Sequence, residues 1–273
     1  MPAYNRPKSL SNAIECIINQ TYKNLEIIIS DNASISNEIE DIVKIYMKHD
    51  KRIIYRKQKK NLGAEKNFQY LINKASGEYF LMAADDDVRS LDFIEKNVIF
   101  LENNADYVAS TSPSRFDHGS FNECVMGDGS IEYFDKYDRV NIFLNNWHAN
   151  ARFYSLVRKS EIQKAYTVNN FLGGDWVIVL RLLILGKFKR IDDGEVILGK
   201  DGLSHNDIFS VYRKGFLGWT LPFYKLSLAS FKLLKGATKS QKIKLMTSLL
   251  KFNIIAFYWQ LKREVYLKIK KIL

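Results

Sequence analysis

Glu78-Tyr79-Phe80-Leu81-Met82-Ala83-Ala84-Asp85-Asp86-Asp87 reads as a short apolar strand that runs straight into three carboxylates. Ser76-Gly77 just before it is a stop signal for the helix predicted over Ala64–Ala75, and Glu78–Ala83 is predicted as a strand. A second run has the same form. Leu25-Glu26-Ile27-Ile28-Ile29-Ser30 is rich in β-branched residues and ends at Asp31. In open α/β sheets ligands bind beyond the carboxyl ends of the strands, so Asp31 and Asp85–Asp87 are placed for one shared site.

Working outward, Leu10, Ala13, Ile14, Ile17 and Ile18 fall on one face of a helix over Lys8–Gln20. Glu38–Lys48 is predicted as a helix and Arg52–Tyr55 as a strand. Further on, Asp106–Ser110 and Arg152–Val157 read as strands, and Trp176–Leu185 as a helix capped by Gly186. This alternation predicts an α/β fold with a Rossmann-type mixed sheet flanked by helices. With 273 residues and 47% hydrophobic side chains, the chain can bury a sizeable core. Cys16 and Cys124 lie far apart and outside any metal-ligand spacing, which fits a reduced, cytosolic setting. Met1–Arg6 has no apolar stretch behind a basic one, so no secretory signal is expected there.

The net charge of +11 is unevenly spread. Ile208–Leu273 holds 14 Lys and Arg against one acidic residue, Glu264, which leaves the remainder at −2. The expected division is a catalytic domain over 1–205, with halves 1–100 and 101–205, followed by a basic helical tail over 206–273. Phe252–Leu261 in that tail is uncharged but far shorter than the roughly 20 residues a membrane span needs. Lysines on both sides of it fit helices lying on an anionic membrane surface, or equally a helix covering the core with a solvated lysine face. Basic residues interleaved with aliphatic ones do not make a nucleic-acid surface, so no nucleic-acid partner is expected.

Three adjacent carboxylates repel one another unless a cation or hydrogen-bond donors compensate. A hard divalent ion, Mn2+ or Mg2+, takes such oxygen ligands, and a nucleotide diphosphate supplies others. Taken alone, the triplet reads equally well as a solvated acidic turn ahead of a helix starting near Leu91.

Beyond the triplet, the order of motifs resembles family 2 glycosyltransferases of the GT-A fold. The resemblance rests on Pro2-Ala3-Tyr4-Asn5-Arg6, on Asn19 to Ser34, on Asn61-Leu62-Gly63 with Lys66-Asn67, and on Ala75 to Tyr79 followed by Asp85-Asp86-Asp87. It is strong over about the first hundred residues and weak beyond. It implies an inverting, metal-assisted hexosyltransferase that takes a sugar from a nucleotide-sugar donor. It also implies an apolar first β-strand ahead of Pro2, which this sequence does not contain.

The resemblance assigns Asp87 as direct metal ligand, with Asp85 and Asp86 nearer the ribose and the outer shell of the metal. Asp31 resembles the residue that accepts the N3–H of uracil, with Ala3 and Tyr4 completing the base pocket, so a UDP-sugar is expected. The same aspartate also suits an Asx-turn. Lys66, one turn after Gly63, is placed for the diphosphate, or is a plain surface lysine. In Gly173-Gly174-Asp175-Trp176, Asp175 resembles the catalytic base and Trp176 an acceptor-stacking ring, although Gly174 stands where many members have an acid. Asp175 also suits a helix N-cap. His205, in the glycine-rich loop Leu198–His205, is a candidate metal ligand, and His148 a candidate acceptor contact.

The expected function is transfer to a saccharide acceptor, such as a polyprenyl-diphosphate-linked one, in cell-surface polysaccharide synthesis, by an enzyme peripheral to the inner face of the cell membrane. Two other readings compete. A sugar nucleotidyltransferase also gathers carboxylates around a metal but needs a glycine-rich triphosphate loop that is not found. A non-catalytic membrane-associated subunit with a decayed pocket is the other.

Overall fold

The structure is a computed structural model that describes residues 1–199, 212 and 215–272, with side chains through Tyr266. Two sheets form its centre. In the first, β1 (Pro2–Ala3), β2 (Ile27–Asp31) and β3 (Ile53–Lys57) run parallel in the order β1-β2-β3, with Ala3 opposite Asp31. Parallel strands need crossover helices, and α1 (Pro7–Ile18) and α2 (Glu38–His49) supply them. Pro7 opens α1, where a missing N–H costs nothing, and Leu10, Ala13, Ile14 and Ile17 turn onto the sheet.

The second sheet, β4-β8-β6-β9, is mixed. Its β4 (Tyr79–Leu81) pairs antiparallel with β8 (Leu156–Arg158), which in turn pairs antiparallel with β6 (Tyr107–Thr111). The last strand, β9 (Lys187–Arg190), lies parallel to β6. A small third sheet sets β10 (Val196–Leu198) between β5 (Val88–Arg89) and β7 (Ser114–Phe116). It brings residues 196–199 beside the triplet.

The predicted helices appear as α1, α2, α3 (Ala64–Lys74), α4 (Phe93–Asn103) and α8 (Gly174–Leu185), with α5 (Glu123–Met126), α6 (Lys136–Phe143) and α7 (Lys159–Ala165) between them. Gly186 ends α8 with extended backbone, and a Cβ there would come within 2.4 Å of Val108, so close packing on β6 requires the glycine. The strand expected over Arg152–Val157 is corrected. Ala151–Tyr154 is a 3-10 turn entered through Asn150 in the left-handed conformation, and strand structure begins only at Leu156.

After residue 214, α9 (Gly215–Thr220), α10 (Tyr224–Leu233) and α11 (Lys239–Ile272) complete the described chain. One face of each of the last two is in the main core: Leu226, Leu245, Leu249, Phe252 and Ala256 are buried in one cluster with Val177, Leu180 and Phe143. Along α11 the outer face exposes a second apolar stripe, Ile243, Met246, Leu250, Ile254, Tyr258, Leu261 and Val265, spaced three or four residues apart. No helix among the described residues is long and apolar enough to cross a membrane.

Candidate functional site

The triplet sits where β4 delivers it, and two arginines bracket it. Arg6, just before α1, donates to Asp85 Oδ1 and to Asp86 Oδ2 at 3.2 Å. Arg89 is 1% exposed and donates to Asp87 Oδ2 at 3.3 Å and to the Met82 carbonyl at 3.2 Å. The other oxygen of Asp87 accepts the N–H of Gly199 at 3.2 Å. Burial pushes the Asp87 carboxyl above its usual range, against the pull of Arg89. Burial likewise raises Asp85 to about 7, with Arg6 opposing and Asp86 adding to the rise.

Asp85 Oδ2 is buried without a hydrogen-bond partner. Such an acceptor suits a cation, and carboxylate oxygens are the donor set a hard divalent ion takes. Among the described residues, however, no three ligating side chains converge. Arg6 provides the countercharge for Asp85 and Asp86 in this arrangement. Gly199 is the tight point of the loop: a Cβ there would meet Asp86 at 2.4 Å. His205 lies outside the described residues.

Asp31 ends β2 as expected but is 0% exposed. Its Oδ1 accepts the Ser34 N–H and its Oδ2 accepts the Tyr55 hydroxyl, both at 2.9 Å, so the Asx-type turn is present. Burial and the neighbouring Asp31 raise the Tyr55 phenol well above its usual range. Ala3 is buried beside Asp31, Tyr4 is exposed, and Lys66 points into solvent from the first turn of α3.

Asp175 stands in the first turn of α8 and lines a recess of about 140 Å³. Glu65 and Phe68 of α3, Phe153, Phe171 and Tyr212 line the same recess. Asp175 keeps solvent access, yet the surrounding protein desolvates its carboxyl enough to raise its pKa, against a hydrogen bond from Asn150 Nδ2 to Oδ2 at 2.7 Å. Gly173 adopts φ +81°, and a side chain at Gly174 would run into the Asn169 carbonyl at 2.1 Å. Packing thus excludes an acidic residue at 174. Desolvation and the charges of Asp87 and Asp175 together raise the Tyr154 phenol well above its usual range.

Trp176 and His148, expected to face an acceptor, face the core instead. They are 6% and 7% exposed and stack with ring centroids 4.4 Å apart, inside a cluster with Phe143, Phe223 and Phe252. The cause is helix geometry, since adjacent residues point about 100° apart and Asp175 already takes the recess. His148 supports Asn150 from below. Its Nε2 bonds the Phe143 carbonyl at 3.0 Å and its Nδ1 accepts the Asn150 N–H at 3.0 Å. Burial lowers its pKa to about 4, keeping it neutral. Arg6, Arg89, Asn150 and Glu65 were not singled out from sequence. The only signal available was that Arg6 and Arg89 are cations within two residues of motif positions.

Residues 1–164 match the family model described as glycosyl transferase family 2. An uncharacterized glycosyltransferase of Methanocaldococcus jannaschii is 39% identical over 108 residues, 39% of this chain and 37% of that protein. The glycosyltransferase GlyA of Streptococcus pneumoniae is 27% identical over 87% of this chain and 30% of its own length. Abequosyltransferase RfbV of Salmonella typhimurium is 34% identical over 39% of this chain and 32% of that protein. The matches thus span well under half the length of each of these relatives. Among solved structures, S. aureus TarS in complex with UDP-GlcNAc superimposes with a TM-score of 0.66 at 14% identity, over 91% of this chain and 70% of that one. A mannosyltransferase of Pyrobaculum calidifontis, in complex with GDP-Man and Mn2+, gives 0.53 at 14% identity, over 98% and 79%. At these identities the likeness is one of fold, and the fold is GT-A.

Proposed function

Because the chain belongs to glycosyl transferase family 2, we propose that it transfers a sugar from a nucleotide-sugar, a UDP-sugar in this reading, to a saccharide acceptor with inversion at the anomeric carbon. The observation that carries this reading is a pair of acidic groups whose charges both act on the buried Tyr154 phenol: the triplet after β4, and Asp175 lining an aromatic recess. The first suits a diphosphate with its counterion, the second an acceptor hydroxyl. The abequosyltransferase relative supports a place in polysaccharide synthesis.

In this mechanism Asp175 takes the proton of the acceptor hydroxyl as that oxygen attacks the anomeric carbon, and Asn150 fixes which carboxylate oxygen faces the recess. The raised pKa of Asp175 strengthens it as a base. Phe68, Phe153 and Phe171 offer apolar faces to a sugar ring. Asp85 and Asp87 would hold a divalent cation, which would supply charge compensation for the diphosphate. Arg6, which bonds Asp85 and Asp86, exchanges these carboxylates for phosphate oxygens when donor binds, and Lys66, exposed in the first turn of α3, is a second cation for the diphosphate. Ala3, Tyr4 and Asp31 line the base side, with the Tyr55 hydroxyl moving aside or bonding the base in place of Asp31.

Donor identity is tested by thermal shift with UDP-, GDP- and dTDP-sugars in the presence of Mn2+. A UDP-sugar at about 100 times its Kd stabilises the chain by about 2.7 kcal/mol, and equal or absent shifts for all three contradict the assignment.

The exposed stripe of α11, flanked by Lys242, Lys244, Lys251 and Lys262, supports attachment to an anionic membrane surface, where a lipid-linked acceptor resides. Co-sedimentation with vesicles containing phosphatidylserine is expected at low salt and is lost when Leu250 and Ile254 are both replaced by glutamate. Binding that survives this change removes α11 from the attachment.

A further inference from the structure

Glu65 is a second carboxylate at the recess that holds Asp175, and proton removal from an acceptor does not require it. It stands in the first turn of α3 and lines the recess together with Phe68, Phe153, Phe171 and Asp175. At about 140 Å³ the recess lies below the roughly 300–1,000 Å³ of pockets for drug-sized ligands, so it admits one sugar ring and no more. The Tyr166 hydroxyl donates to the Glu65 carbonyl at 2.7 Å and the Tyr212 hydroxyl to its Oε1 at 3.3 Å, which holds both backbone and side chain. Burial, and then the charges of Glu65 and Asp175, raise the Tyr212 phenol to about 12, so both carboxylates act on one hydroxyl of the lining.

The lining is rich in acceptors, and its donors are already engaged. An ionised carboxylate only accepts hydrogen bonds, so Glu65 and Asp175 offer nothing to an anion. The Tyr166 and Tyr212 hydroxyls are both given to Glu65. Asn169 Nδ2 donates to Thr167 Oγ1 at 2.9 Å and to the Gly174 carbonyl at 3.2 Å, which uses both of its hydrogens. Among the described residues, the Thr167 hydroxyl is the one lining side-chain donor that no protein acceptor takes. No lysine, arginine or histidine among those residues lines the recess. Lys66 is exposed beside Glu65, and Lys225 Nζ stands 6.0 Å from the centroid of the Phe171 ring, but both lie outside the lining. The N-termini of α3 and α8, where backbone N–H groups attract anions, each carry one of the two carboxylates in the first turn.

We propose that Glu65 is a specificity-determining residue of the acceptor site: with Asp175 it selects a ring that presents hydroxyl or ammonium hydrogens and refuses one that carries a carboxylate, phosphate or sulfate. The acceptor class is thus a neutral hexose or a hexosamine at the ring that is attacked from. This rests on the reading of the recess as the acceptor site, and it adds the charge of the acceptor to that reading. The attraction and the refusal have one cause. A ring hydroxyl or ammonium group satisfies the carboxylate oxygens, whereas an anionic ring meets two like charges and finds almost no donor to replace its water. Selection of this kind is a difference of affinities, built here by repulsion as much as by contact.

The test titrates the full chain, with UDP and Mn2+ present, with the methyl glycosides of glucose, galactose, their uronic acids and glucosamine, and follows binding by ligand-detected NMR. The neutral glycosides and the glucosaminide are expected to bind at least about tenfold more tightly than the uronides, which differ from the former only in a carboxylate for a hydroxymethyl group. Glu65→Gln, which keeps an acceptor for Tyr212 and leaves the Tyr166 bond to the backbone intact, is expected to shrink that ratio by at least about threefold. Glu65→Lys is expected to erase it. Uronides that bind as well as the neutral glycosides, a ratio that neither variant changes, or no glycoside bound at all overturns the proposal. Thermal shifts with UDP-sugars in the same samples separate the two readings. A chain that binds donor without discriminating among the glycosides refutes the role of Glu65 alone, and one that binds neither refutes the proposed function as well.

Discussion

Replacing Asp175 by asparagine is expected to lower kcat by about 10²- to 10⁴-fold, the range for removal of a general base, while the Kd for the donor stays within about twofold. Asparagine keeps the volume and can still meet Asn150, so the fold is preserved. The pH profile carries the sign. Asp175 works only when deprotonated, and desolvation raises its pKa, so kcat falls as pH drops through a value above the ordinary 3.8. In the Asp175→Asn enzyme that acidic limb is expected to vanish. Single-turnover rates between pH 5 and 8 check this, and a variant retaining more than about a tenth of the wild-type rate removes Asp175 from the base role.

Arg89→Leu is expected to destabilise the protein by about 3–5 kcal/mol, because it strands the buried charge of Asp87 without its partner. The guanidinium also holds the Met82 carbonyl and lies over the Phe93 ring, 5.6 Å from its centroid, so it ties the end of β4 to α4. Urea midpoints measure the loss. Adding Asp87→Leu to Arg89→Leu is expected to recover most of the stability but no activity. A single variant within about 1 kcal/mol of wild type contradicts the structural role given to this ion pair.

The strand and its acidic end were legible from residues 78–87 because the strand reads as an unbroken apolar run, and the carboxylates that follow are contiguous in sequence. Asp31 at the end of β2 was legible for the same reason. The arginine pairings were not: Arg6 meets Asp85 and Asp86 across about eighty positions, and only the folded sheet brings them together. Tyr55 over Asp31 is hidden in the same way, since it depends on the register of β3 against β2.

Near Asp175 the local motif was readable, but its second half was not. Trp176 carries the sequence appearance of a sugar-stacking ring, and only the rotation of α8 reveals that it supports the core with His148. The conformation of Asn150, φ 57°, arises where the chain turns under His148 and leaves no pattern in composition. The basic character of the last helices reads from the sequence as a separate tail. Their buried stripe of Leu245, Leu249 and Phe252 belongs to the core, and the lysines mark only the outer side.

The central claim, that the end of β4 and Asp175 together form a site for sugar transfer, is tested most directly by measuring nucleoside diphosphate release from UDP-sugars with Mn2+ in the full chain. Steady release by the enzyme, its loss in Asp85→Asn together with donor binding, and its loss in Asp175→Asn with binding intact are the expected results. No release from any nucleotide-sugar by a folded, donor-binding protein contradicts the claim and favours a non-catalytic subunit.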